Sequence, residues 1–358
     1  MGEVNMKETE RRLTILNRNE LQELYGLPRF TDEERVRYFF LDQSEIEELE
    51  NFRTSLSKIY FILQLGYFKA KKRFFVFQFQ EVKDDIYYIS EKYRFKEEEI
   101  TKTILPKSSR KDQYKIILKL LDYQICNQER KKELQEKAFY LATIHAKPIY
   151  IFKELFNYLE KEKIIVPAYS TMQTIVSKAI TREKERLGTV IMKQLSQEGQ
   201  KILDDLLISE EGLHKVTLLK QEPQNFGHKE MSQEVEKREI TREIYYIARK
   251  FLKDIGISNE NIKYYSSLIK YYSVYKLRRM KKEIVYIYLT CFIFNRYEKI
   301  NDNLINAFIY YINKYTDEAK DEAKEKIYEY KVEGNKHLKN AGKILKLFVD
   351  DTIPEEIE

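Results

Sequence analysis

Between Ser170 and Arg182 the chain places Thr171, Thr174, Ser177, Lys178, Thr181 and Arg182 on one side of a helical repeat, with no acid among them. Short hydroxyls donate and accept hydrogen bonds, and Lys and Arg attract anions. That mixture suits base edges and phosphates rather than bond breaking. Tyr169, Ser170 and Gln173 open the same stretch. A second basic set, Arg110, Lys111, Lys115 and Lys119, falls largely at i, i+4, i+8. It reads either as a solvated helix face or as a phosphate-contacting one. The third set is residues 270–282, with six Lys/Arg and no acid, and with five tyrosines between Tyr264 and Tyr275. Lys276, Arg278 and Arg279 lie within it. Bases interleaved with aromatics fit phosphate contact plus stacking, and equally a tyrosine-rich core whose lysines point to water.

The groups that catalysis requires are not assembled. No glycine-rich phosphate loop occurs in either the GxxxxGK[ST] or the GxGxxG form, and there is no nucleophile elbow. His145, His214, His228 and His337 are scattered, and none neighbours a cysteine pair in a zinc-like spacing. Acids are frequent but sit in helix first turns or beside lysines, with no sheet to hold them as a pair. The expectation is a binding protein that needs no metal or organic cofactor.

Helices must position these groups. Met172, Ile175, Val176, Ala179 and Ile180 form one apolar stripe, Pro167 stops what precedes it, and Ser170 is suited to cap the new helix. Upstream, Pro148 suits a first helical turn, and Phe152, Leu155, Phe156 and Leu159 make a matching stripe. Two helices joined by a turn, the second with a polar-to-basic face, have the outline of a helix-turn-helix reader. The connector, residues 161–169, is longer than that motif's tight turn, so a plain helical hairpin fits the same residues. Ser109 with Asp112 reads as a cap for a helix whose stripe is Tyr114, Ile117, Leu118 and Leu121. Pro106 breaks the chain before it, which repeats the outline.

The remaining pattern is helical too. Gly26 and Pro28 end a first helix, and Thr31–Glu34 and Ser44–Glu47 read as capping boxes. Residues 56–69 are apolar on nearly every side, which marks a buried central helix. Phe74 to Phe79 reads as an extended segment or a distorted helix on that core. With 358 residues, six prolines and ten glycines, the chain favours several long-helix domains over linkers. The boundaries expected are 1–147, 148–227 and 228–358, the middle one ending in the turn-rich residues 221–227. Residues 1–12 and 350–358 read as loose ends. Net charge is +6, an excess that permits a nucleic-acid partner without requiring one. Cys126 and Cys291 lie in apolar helical patterns and read as reduced, buried thiols of a cytoplasmic protein. The longest apolar run, residues 284–294, is too short to span a bilayer.

The ordered strings ILNRNELQELYGLPRFTDEERVRYFFLDQSEIEEL, FILQLGYFKAKKRF, IIVPAYSTMQTIVSKAITREKERL, LLKQEPQNFGHKEM and ISNENIKYYSSLIKYYSVYKLRRM resemble the N-terminal region of Tn3-family transposases. The resemblance runs from Leu13 to about Phe348. It implies an all-α chain: two helix-turn-helix-like DNA-binding units over residues 1–147 and 148–227, then a helical dimerisation region over 228–358. The function it implies is sequence-specific binding to the terminal inverted repeats of a transposon, in the bacterial cytoplasm and on the nucleoid. The partners are double-stranded DNA and either a second copy or intact transposase, with no membrane. The family's chemistry lies in an RNase-H-like domain with three metal-binding carboxylates, expected beyond Glu358, so magnesium is expected only for that missing domain. A remnant acting on intact transposase as inhibitor or scaffold is the alternative. In this reading Tyr169, Ser170, Thr171, Gln173, Thr174 and Lys178 approach base edges, with Arg182 on the same face. Arg110, Lys111 and Lys115 meet phosphates or a second groove segment, and Lys276, Arg278 and Arg279 hold backbone or support the dimer.

Overall fold

The computed structural model describes residues 13–95, 105–210 and 213–349. Among them fifteen α-helices make an all-α fold, with one two-residue antiparallel pairing of Ser209–Glu210 and Leu213–His214. The first nine helices are α1 (Arg18–Tyr25), α2 (Asp32–Tyr38), α3 (Gln43–Glu50), α4 (Ser55–Lys71), α5 (Lys83–Tyr93), α6 (Lys107–Leu121), α7 (Gln128–Ile144), α8 (Pro148–Lys161) and α9 (Tyr169–Gln194). Then come α10 (Gln197–Asp205), α11 (Lys215–Lys220), α12 (His228–Asp254), α13 (Asn259–Tyr271), α14 (Val274–Arg278) and α15 (Lys282–Val349). The expectations for residues 1–12 and 350–358 lie outside the described residues.

The chain divides into two compact units, residues 1–196 with 250–291, and residues 197–249 with 292–358. The boundaries expected at 147/148 and 227/228 do not coincide with this division. Leu141 and Ala142 of α7 share one core with Ile151 and Phe152 of α8, so that core crosses the first of them. Residues 250–291 return to the first unit, which a reading along the chain cannot anticipate.

In the first unit α4 is the centre of one core. Every residue from Ile59 to Phe68 is buried, as a helix apolar all round requires. Gly66 permits close packing there, since a Cβ would lie 2.5 Å from the Phe39 ring. Residues 74–78 are neither helix nor strand, with Phe75 and Phe77 buried and Val76 between them exposed. Having no strand partner, Phe75 pairs instead with the Gln64 side chain, whose Nε2 donates to its carbonyl (2.7 Å) and whose Oε1 accepts from its N–H (3.3 Å). Asp85 ties three helices by accepting from Arg35 Nε (2.8 Å) and Tyr67 Oη (2.6 Å).

A second core joins α7, α8 and α9 through Leu134, Ala138, Phe152, Leu155, Met172 and Val176. α13 docks on the end of α7: Ser258 Oγ donates to the Ile144 carbonyl (2.6 Å), and Asn261 Nδ2 donates to the carbonyls of Ala142 (3.2 Å) and Thr143 (3.0 Å). Asn261 Oδ1 also accepts from the Ala146 N–H.

The second unit has a buried polar knot. Glu234, fully buried, accepts from Arg296 (2.7 Å), Lys237 (2.9 Å) and Asn303 (3.0 Å). Tyr245 stacks on Tyr297 with centroids 4.1 Å apart. Along α15 every residue from Ile312 to Val349 is exposed.

Three helix starts differ from expectation. α3 is capped by Asp42 with Glu45, not by Ser44 with Glu47. α6 starts at Lys107 after Pro106, so Ser109 lies inside its first turn. α9 starts at Tyr169 after Ala168 with no side-chain cap, so Ser170 is not its cap. For α3 the earlier Asp42 has the extended backbone a cap needs and accepts from the Glu45 N–H, whereas α6 and α9 begin without any side-chain cap and take their serines into the first turn. The Thr31–Glu34 box stands as read, and Ser258 caps α13.

Candidate nucleic-acid interface

α9 is the third helix of a three-helix body and packs chiefly on α7 and on α8. Its stripe of Met172, Ile175, Val176 and Ala179 is buried, as the period requires. The helix continues beyond Arg186 because Leu187 and Ile191 prolong the buried side, and Glu183 joins it by a two-pronged bond to Arg186 (2.7 Å each). The connector before α9 is fixed rather than loose. Lys163 takes a left-handed conformation (φ 50°), and Gln124 exchanges backbone bonds with Lys163 and Ile165 at 2.8 and 3.0 Å.

The opposite side of α9 divides into two parts. Tyr169 Oη accepts from the N–H groups of Ile15 (3.1 Å) and Leu16 (3.0 Å), and Gln173 Nε2 donates to the Leu13 carbonyl (2.9 Å). These two side chains satisfy the backbone of residues 13–16 lying alongside. They are therefore fixing groups, whereas the sequence suggested base readers. Beyond them Thr174, Lys178, Thr181 and Arg182 are exposed, and Ser170 and Thr171 are half-exposed. Thr174 Oγ1 rests on the Ser170 carbonyl (2.9 Å). The Arg182 guanidinium lies over the Phe139 ring of α7 at 4.1 Å, which sets its direction while leaving its edge to solvent. Thr174, Lys178 and Arg182 thus form a ridge at i, i+4, i+8, with no acid between Ser170 and Arg182.

α6 is less available. Arg110 is half-buried, with Nε shielded from solvent, and its charge acts on Tyr60 and Tyr114. Burial pushes the Tyr114 hydroxyl up to about 12, and its ring stacks on Phe74 at 3.9 Å. Lys111, Lys115 and Lys119 are exposed, and Lys115 pairs with Asp112 at 3.2 Å. Arg110 therefore faces the core and does not share a surface with the three lysines.

The basic segment after α13 resolves both of its readings, residue by residue. Tyr265 is buried, and Tyr264 and Tyr272 are half-buried, so those tyrosines belong to a core. Tyr271 and Tyr275 face solvent, together with Lys276, Arg278 and Arg279. Lys276 Nζ lies 3.8 Å over the Tyr272 ring, and Arg279 lies 5.4 Å over Tyr275 with Nη1 3.4 Å from its hydroxyl. The two outward rings were missed as site residues because adjacent tyrosines look alike in a sequence. Their helical phase separates them: Tyr265 shares the buried stripe of Ile262 and Ile269, and Tyr271 does not.

Lys184, half-buried in α9, was also not anticipated. Burial lowers its ammonium below the usual lysine range, and its Nζ lies 5.6 Å over the Tyr288 ring. Among the described residues no group of three or more His, Cys, Asp or Glu side chains is placed to hold a metal ion. None of the described helices is long and apolar enough to cross a membrane.

Residues 15–179 match the model of a family described as a domain of unknown function, DUF4158. That match takes in α1 to α8 and the first turns of α9, just under half of the 358 residues. No curated protein matches the chain.

Proposed function

We propose that this chain binds duplex DNA sequence-specifically at the terminal inverted repeats of a transposon, as the end-binding part of a Tn3-family transposase. The observation that carries the reading is the exposed, acid-free ridge of Thr174, Lys178 and Arg182 on the third helix of a three-helix body. A third helix with hydroxyls and cations outward is the form that enters a major groove. The ordered resemblance of five long strings to that transposase region supplies the identity of the site bound. In this reading Ser170, Thr171 and Thr174 approach base edges, Lys178 and Arg182 reach the flanking phosphates, and Tyr169 and Gln173 hold the N-terminal segment that braces the helix. Lys111, Lys115 and the bases of residues 276–279 add phosphate contacts. Bond breaking and its magnesium ions belong to the RNase-H-like domain that the family carries elsewhere. No step of the chemistry is assigned to the residues described, whose carboxylates do not converge on a metal site. The setting is the bacterial cytoplasm, on the nucleoid.

The test is binding of the repeat duplex and a scrambled duplex by single variants. Thr174→Ala is expected to weaken repeat binding by about 1–3 kcal/mol and leave scrambled binding unchanged. Lys178→Ala is expected to weaken both equally and to reduce the salt slope by about 0.9. Equal loss on both duplexes for Thr174→Ala would refute its place at a base edge.

A second reading has an observation of its own. Ile305, Phe308, Ile312 and Tyr315 are exposed on α15 at i, i+3, i+7 and i+10, spaced as one side of a helix. A helix with such a side suits pairing, with a second copy or with intact transposase, and a chain acting only in that way would inhibit or scaffold rather than recognise DNA. Failure to bind the repeat together with co-purification of full-length transposase would favour it.

A further inference from the structure

We propose that residues 270–282 form a binding site for single-stranded DNA, with Tyr271 and Tyr275 as platforms on which unpaired bases stack. The inference rests on the DNA-binding reading only in naming the polymer; the site itself stands on its own geometry.

Tyr271 is 82% and Tyr275 70% exposed, whereas Tyr265, Tyr286 and Tyr288 of the same unit are each 1% exposed. Two rings held out of a core that takes in three others are a displayed surface. Their backbone is fixed. Tyr271 is the last residue of α13, and α14 is capped by Ser273 Oγ, which accepts from the Lys276 N–H (3.3 Å), and anchored by the buried Val274 and Leu277. Rings on fixed backbone lose little freedom when a base settles on them.

Within residues 261–282 every charged side chain is basic. No acid occurs between Asn261 and Lys282, while Lys270, Lys276, Arg278, Arg279, Lys281 and Lys282 are exposed there. Glu260, just before this stretch, is turned to His145 at 3.1 Å. Cations are also set against rings: Arg279 over Tyr275 at 5.4 Å, and Lys276 over Tyr272 at 3.8 Å. A polyanion carrying flat apolar groups satisfies both halves of this surface at once. Duplex DNA satisfies only one. Its phosphates reach the cations, but its base faces are covered by their neighbours in the stack and leave the rings unmatched. A single strand offers base faces and phosphates together, as this segment offers rings and cations together.

The experiment measures fluorescence anisotropy of a labelled oligothymidylate and of the repeat duplex, using the full chain at physiological salt. Tyr271→Ala and Tyr275→Ala are each expected to weaken strand binding by about tenfold, and the double substitution by about a hundredfold. Phenylalanine at either position keeps the stack and restores binding. Both rings are exposed, so the variants melt with the wild type, and their affinity for the repeat duplex is unchanged. Oligouridylate binds like oligothymidylate, because stacking and phosphate contact read neither sugar. The proposal is overturned if the alanine variants bind the strand as the wild type does. It is equally overturned if phenylalanine fails where alanine fails, or if only the ribo-strand binds. Loss of strand binding in the variants, with no repeat binding by any protein, would uphold this site and defeat the duplex reading alone.

Discussion

At the start of α9, Tyr169 and Gln173 are engaged by the backbone of residues 13–16, whereas in residues 270–282 the outward tyrosines and cations face solvent. Both stretches look alike on paper, with aromatic, hydroxyl and basic side chains and no acid. The difference is what lies alongside. A segment of backbone with unmet donors and acceptors runs past the first turn of α9 and takes its polar groups, because buried peptide groups must be paired. Around α14, Tyr271, Tyr275, Lys276 and Arg279 are instead left exposed at the surface. Residue type therefore states what a side chain is able to do, and the neighbouring chain decides whether it is left to do it.

The largest effect that sharpens this contrast concerns the displayed side. Replacing Lys276, Arg278 and Arg279 together by alanine is expected to lower the salt slope of DNA binding by about 2.7, at about 0.9 per phosphate contact. Folding stability should change by no more than about 0.5 kcal/mol, as for other surface sites. A wild-type salt slope in this variant would place these three cations off the DNA.

Next comes the anchor that sets the displayed segment in place. Asn261 is fully buried and meets the backbone of Ala142, Thr143 and Ala146. Asn261→Ala leaves those groups unpaired and is expected to cost about 3 kcal/mol, read from the urea midpoint. A loss no larger than that of an ordinary surface substitution would mean that α13 is held to α7 by apolar contact alone.

The engaged side should give a smaller effect of opposite character. Tyr169→Phe removes the acceptor for two N–H groups while keeping the ring against Phe152 and Tyr25. It is expected to cost about 1–2 kcal/mol of stability and to leave repeat and scrambled binding equal to wild type in the folded protein. A selective loss on the repeat duplex would show that the hydroxyl reads a base after all.

Much of the architecture was legible because it rests on local pattern. The buried stripe of α9, the all-round burial of α4, the stop at Gly26 and the cap at Thr31 follow from period and side-chain chemistry. The caps expected at Ser44, Ser109 and Ser170 failed because several residues in each stretch are able to end an extended backbone, and sequence does not say which one does. The length of α9 was not legible because the charged run before Leu187 hides the stripe; Glu183 is buried there in its pairing with Arg186. The roles of Tyr169 and Gln173 depend on partners more than 150 residues away. The return of residues 250–291 to the first unit is equally non-local. Such pairings leave no mark in a local window.

The central claim is that the first unit reads a DNA sequence. Its most direct test is repeated selection of bound duplexes from a random-sequence pool by the full chain, followed by sequencing. The account predicts that one sequence emerges, preferred over the starting pool by about a thousandfold or more, and that Thr174→Ala relaxes it at a single position. A pool that stays random while still binding in a salt-dependent way would contradict sequence reading and leave only a cationic surface.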